Sequence, residues 1–93
     1  MPGMFPEIGM TVYYVDGSEQ KVTIRMRALM ETERKYGVTL KDLGDGRTEP
    51  TLFMVYMQLK FDKIVLPIFE KWLERVANYG IDSVEAPDLG DEL

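Results

Sequence analysis

The stretch from Pro50 to Phe61 constrains this chain more than any other. Leu52, Phe53, Met54, Val55, Tyr56, Met57, Leu59 and Phe61 leave almost no polar side when set at helical spacing. A helix apolar nearly all round sits at the centre of a domain or keeps a second face for a partner. Leu52, Val55, Tyr56 and Leu59 make one stripe, and Phe53, Met54, Met57 and Phe61 make another. The longest uninterrupted apolar run, Leu52–Met57, is six residues, far short of a membrane span. The remainder of a 93-residue chain must therefore supply the cover. At that length it builds one modest core and not two.

The flanking segments predict how the cover is made. Residues 1–9 hold two prolines and two glycines and read as an irregular arm. Thr11–Val15 is rich in β-branched and aromatic residues, Asp16-Gly17 marks a turn, and Lys21–Arg25 alternates polar with apolar. Together they predict a β-hairpin over 11–25, which needs further packing because a lone hairpin is marginal in water. Met26, Leu29, Met30 and Tyr36 then fall at helical spacing, with Glu31 and Lys35 placed for an i,i+4 pair. Gly37 and Val38 predict a Schellman-type stop after helix 26–36. Thr48 and Pro50 suit the start of the second helix, 50–61. Pro67 opens a third, 67–79, along the stripe Ile68, Phe69, Trp72, Leu73 and Val76, ending at Asn78-Tyr79-Gly80. The expected fold is α+β: an N-terminal β-hairpin followed by a small three-helix bundle in a single domain over 10–80, then a flexible acidic tail, 81–93.

Charge is unevenly placed. Residues 1–80 hold eleven basic and eleven acidic residues, so the net charge of -5 resides in Asp82, Glu85, Asp88, Asp91 and Glu92. That distribution gives neither a basic nucleic-acid footprint nor a polybasic membrane segment. Cysteine and histidine are both absent, which removes disulfides, thiolate nucleophiles, Cys/His zinc sites and the commonest acid–base group. The start, Met1 to Glu7, lacks a charged n-region, so no secretory leader is expected and a reducing cytoplasm is the expected compartment.

Chemistry finds little to work with. Glu31/Glu33 and Glu70/Glu74 lie among basic residues and read as surface charge, although Glu33 interrupts an apolar stripe and reads as a partly buried carboxylate with a structural partner. Gly44-Asp45-Gly46 lacks the Lys-Ser/Thr ending of a phosphate loop. Asp42, Asp45 and Glu49 lack calcium-loop spacing and read as a solvated turn. One of Tyr13 and Tyr14 reads as core packing and the other as hairpin cover, rather than either as a stacking platform. Two features lean toward protein binding. Met26, Met30, Met54 and Met57 are adaptable side chains that suit either gap-filling or varied apolar partners. The second stripe of the central helix is either sandwiched or left as a groove.

Three stretches then carry a resemblance. They are Arg27-Ala28-Leu29-Met30-Glu31-Thr32-Glu33-Arg34-Lys35-Tyr36-Gly37, the apolar Glu49–Lys60, and Phe69-Glu70-Lys71-Trp72-Leu73-Glu74-Arg75-Val76. With the preceding hairpin and the acidic end, the chain resembles tail assembly chaperones of long-tailed bacteriophages and prophages over about residues 10–85. The resemblance implies a non-enzymatic protein without cofactors or metals. Its members bind the long, helical, apolar tape measure protein, keep it soluble, help recruit tail tube subunits and are absent from the virion. Many also exist in a longer, frameshifted form. The partner-binding residues expected here are Phe53, Met54, Met57 and Phe61, with Met26 and Met30 at the groove's edge, while Trp72 and Phe69 are assigned to the core. The alternative is a structural particle component that self-associates through the Thr11–Arg25 hairpin edge; a small enzyme using Glu33 ranks third.

Overall fold

In the computed structural model, residues 7–38 and 47–85 are described. Strand β1 (Glu7–Tyr14) and strand β2 (Glu19–Ile24) form the predicted hairpin, and helix α1 (Met26–Tyr36) follows directly. Helix α2 (Thr48–Phe61) is the apolar segment, α3 (Phe69–Leu73) is a single short turn and a half, and strand β3 (Val76–Glu85) closes the described chain. The fold is α+β, with a three-stranded antiparallel sheet in the order β2-β1-β3. Among the described residues, no helix is long and apolar enough to cross a membrane.

The three-helix bundle is thus replaced by two substantial helices, one short one and a third strand. Residues 76–79, expected to finish the last helix, pair with β1 instead: Val12 lies opposite Tyr79, Thr11 opposite Gly80 and Met10 opposite Ile81. The helical stripe of this segment is real as far as Leu73, but Asn78 and Gly80 are poor helix formers. A two-stranded hairpin also leaves the outer edge of β1 unpaired, and a third strand satisfies that edge. Residues 7–9, expected to be irregular, belong to β1, and residues 81–85, expected to open a flexible tail, belong to β3. Two register shifts, at Gly9/Met10 and Tyr13/Tyr14, leave Ala77 and Asp82 as extra residues of β3, the mark of β-bulges. The Gly44-Asp45-Gly46 loop, Asp42 and the acidic positions Asp88, Asp91 and Glu92 lie outside the described residues.

The core forms where the inner face of the sheet meets α2. Ile8, Met10 and Val12 alternate along β1 with Val22 and Ile24 beside them on β2, and all are buried. They share one cluster with Leu52, Val55 and Leu59 of α2, Ala28 and Leu29 of α1, and Trp72, which is 0% exposed. Trp72 Nε1 donates to Tyr14 Oη at 3.2 Å, and Tyr14 Oη donates in turn to Gln20 Oε1 at 2.7 Å. The indole is therefore buried with its polar atom satisfied. At the hairpin tip Gly17 takes φ +92°, and Asp16 accepts from the hydroxyl and backbone N–H of Ser18 at 2.6 and 2.9 Å. Those bonds, the hydroxyl's first, lower the Asp16 pKa from its ordinary value.

Polar groups lock the elements together. Gln58 is 3% exposed; its Oε1 accepts from the N–H of Arg25 at 2.9 Å and its Nε2 donates to Asp62 Oδ1 at 3.0 Å. One side chain therefore joins the start of α1 to the end of α2. Across the opposite face of the sheet, Thr11 Oγ1 donates to Asp82 Oδ2 at 2.5 Å and accepts from Lys21 Nζ at 3.4 Å. Asp82, read from sequence as tail charge, instead ties β3 to the central strand. Gly37 ends α1 at φ +68° with its N–H on Glu33 O at 2.8 Å, the single-bond αL form of the predicted stop.

Two measurements check these locks. Gln58→Ala leaves the Arg25 N–H without its partner and should lower unfolding stability by about 1–3 kcal/mol in urea titrations. Thr11→Val keeps the side chain's shape while removing both hydrogen bonds, and should cost about 1–2 kcal/mol by the same assay.

Candidate protein-binding surface

Helix α2 presents its first stripe to the core and only part of its second to the surface. Leu52, Val55, Tyr56 and Leu59 are all buried. Of the second stripe, Met54 is 2% exposed and belongs to the core, so a partner does not reach it in this conformation. Phe53, Met57 and Phe61 are partly buried and form a row at i, i+4 and i+8. Helical geometry makes that row about 12 Å long.

Aromatic rings hold one end of the row. Phe53 meets Tyr36 and Phe69 edge-on, with centroids 5.5 and 5.4 Å apart. Phe69 continues to Tyr56 at 5.2 Å and to Trp72 at 6.1 Å. Phe69 is thus partly buried against the core, while its stacking partner Trp72 lies fully inside. Cations lie over the exposed faces of the rings. Lys35 Nζ sits 5.5 Å from Phe53 and 5.6 Å from Tyr36, and the Arg27 guanidinium sits 4.8 Å from Phe61. Each such contact contributes roughly 0.5–1 kcal/mol at an exposed site. Lys35 is consequently not the ion-pair partner of Glu31; that carboxylate meets Arg34 at 3.2 Å.

These contacts settle how α1 and α2 face each other. Arg27 over Phe61 and Lys35 over Phe53 align the 27/31/35 row of α1, antiparallel, with the 53/57/61 row of α2. Met26 and Met30, one residue earlier at each step, lie about 100° further round α1. They are 48% and 41% exposed, on a separate flank. The six expected partner-binding residues therefore divide into three environments: a partly buried row, a core residue and an exposed pair.

Other expectations resolve as follows. Glu33 is exposed rather than partly buried, and the buried polar residue of that turn is Thr32, whose hydroxyl donates to Ala28 O at 2.8 Å. Glu70 and Glu74 are exposed, with Glu74 3.9 Å from Lys71. Tyr13 is 39% exposed while Tyr14 packs inward, so one ring covers and one packs as expected, and the structure decides which. The hairpin edge offered for self-association is reduced to β2, because β1 is the central strand.

Two features of the surface were not foreseen. The connection from α2 to α3 is strongly apolar and outward-facing: Val65 is 95% and Ile68 68% exposed. It begins at Lys63, which takes φ +69°, and Tyr56 Oη pins its far end by donating to Pro67 O at 2.6 Å. Pro67 was the available signal, because the residue before a proline is held extended. The second feature is a basic depression at the C-terminal end of α2, lined by Arg25, Arg27, Lys60, Lys63, Phe61 and Asp62, with Gln58 beneath. Sequence spacing scatters those cations over three segments, and only the packing of α1 on α2 gathers them.

Tyr36 closes the opposite end of the row. Burial, its hydrogen bond to Glu49 Oε2 at 2.8 Å and the charges of Glu49 and Glu70 push its hydroxyl up from 10.0 to about 12. The unfolded chain thus releases this proton first as pH rises. The resulting stabilisation is complete below pH 10 and is lost progressively toward about pH 12. Tyr36→Phe should accordingly show a shallower fall in urea midpoint than the wild type across that alkaline range.

Comparison with protein-family models, with curated proteins and with solved structures finds no match to this chain.

Proposed function

We propose that this protein is a tail assembly chaperone of a long-tailed phage or prophage, acting without catalysis by holding the tape measure protein in soluble form and aiding tail tube assembly. The observation that carries the reading is the incomplete cover of α2. Phe53, Met57 and Phe61 remain partly buried, Met26 and Met30 are exposed on the flank of α1, and Val65 and Ile68 are exposed just beyond α2. Such apolar surface favours protein partners, and burying each large side chain offers roughly 1.5–3 kcal/mol. The sequence stretches around α1, α2 and α3 that resemble the chaperone family give the partner its identity. Flexible methionines on the exposed flank suit a partner whose apolar sequence varies along its length. The compartment that follows is the bacterial host cytoplasm.

A second reading keeps one supporting observation. Among the described residues strand β2 pairs with β1 on one side only, so a particle component could self-associate by strand addition there. Mass spectrometry of purified virions separates the two, since a chaperone is missing from the finished particle.

Co-expression tests the main reading. The tape measure protein encoded with this chain should be soluble with the wild type. It should become largely insoluble with the double variant Met30→Asp, Met57→Asp, whose circular dichroism stays at the wild-type value. Equal solubility with both proteins would remove these surfaces from the function.

A further inference from the structure

The partly buried row on α2 is electrically polarised. At its Tyr36–Phe53 end stand the carboxylates of Glu49 and Glu70, the first hydrogen-bonded to Tyr36 and the second close enough to act on its hydroxyl, with Lys35 lying over the rings. At its Phe61 end Arg27 lies over the ring, and Arg25, Lys60 and Lys63 line the depression beside it, with Lys60 Nζ 5.5 Å from the Tyr56 ring. Among the described residues the ion pairs are Arg34–Glu31 and Lys71–Glu74, so none of those four cations has a carboxylate within ion-pairing reach. Among the described residues the one acid lining the depression, Asp62, has an oxygen engaged by Gln58 Nε2 at 3.0 Å. Cations at a helix C-terminus do offset its dipole. Yet Arg25 and Arg27 come from the other helix's start, and Arg27 is spent on a ring face instead.

We propose that the Phe53–Met57–Phe61 row receives an amphipathic helix of a partner protein, oriented so that a cluster of its Asp/Glu residues meets the Arg27, Lys60 and Lys63 end. The row's length of about 12 Å matches the i, i+4, i+7 anchors of a helix laid in a groove. The carboxylates supply charge complementarity and fix the direction in which the helix lies. This assignment rests on the chaperone reading and specifies the chemistry of the segment such a partner presents.

The test uses the full chain and two synthetic helical peptides of about 18 residues, long enough to span the row with a turn to spare. Both carry the same Leu/Ala stripe; one bears four Glu beside one end of it, the other four Lys at the same positions. Fluorescence anisotropy should find the Glu peptide bound at least about tenfold more tightly, a preference that a few surface charge pairs supply. On the wild type, raising salt from about 50 to about 300 mM should erode that preference. Arg27→Glu with Lys60→Glu should reverse it.

Equal binding of both peptides, or a preference insensitive to salt, overturns the proposal. So does a gain of about tenfold or more in Glu-peptide affinity on deleting residues 86–93, because the chain's own acidic end would then occupy the groove. If the peptides fail while the tape measure protein still stays soluble on co-expression, this inference falls and the chaperone reading stands. If solubility fails as well, both fall.

Discussion

The contact on which the molecule depends is the burial of α2 against the inner face of the sheet. A helix with Leu52, Met54, Val55, Tyr56 and Leu59 all withdrawn from water cannot be covered by one neighbour, because those positions span most of its circumference. The hairpin alone cannot provide the cover either. Its inner face, Met10 and Val12 on β1 with Val22 and Ile24 on β2, is stable only when β1 is paired on both sides and the helices close over it. The third strand and the helix pair are thus mutually required. Gln58 reports this coupling directly, since a single buried amide joins the start of α1 to the end of α2.

That arrangement also produces the surface proposed for partner binding. Once α2 has turned its widest apolar arc inward, Phe53, Met57 and Phe61 are left at the margin, and α1 reaches over them with Arg27 and Lys35. Rings capped by cations are an economical way to leave apolar surface near water, because the ammonium or guanidinium shields the ring while keeping its own hydration. The cap is held far less firmly than packing inside the core, and the proposed partner helix would displace it. The stable inner arc and the adaptable outer row are two consequences of one nearly all-apolar segment.

Much of this was legible in the residues. The hairpin turn at Asp16-Gly17, the extent of α1, the stop at Gly37 and the central place of α2 all follow from local signals whose physics is short-ranged: positive φ at glycine, alternation and helical spacing. Trp72 was equally readable as core. The misreading of residues 74–85 has a clear cause. Trp72, Leu73 and Val76 continue a helical stripe, while Val76, Tyr79, Ile81 and Val84 would serve equally well in a strand, and the choice is decided by a strand some seventy positions earlier, as in the Thr11–Asp82 bond across 71 residues. Glu33 was misplaced for a related reason. Its position in the stripe suggested burial, but the buried arc of α1 passes through Ala28, Leu29 and Thr32 instead.

By itself the sequence determined that this chain forms one small α+β domain around the 50–61 segment, with neither cysteine nor histidine chemistry, because composition and short-range periodicity act on every residue without reference to distant ones. Only the tertiary structure decided that the last segment becomes a strand, that Asp82 is a tie rather than tail charge, and that the expected partner-binding residues separate into core, margin and flank. Those outcomes depend on which backbone edge lacks hydrogen bonds and which helix face is already covered. Both are properties of the assembled fold rather than of any stretch of it.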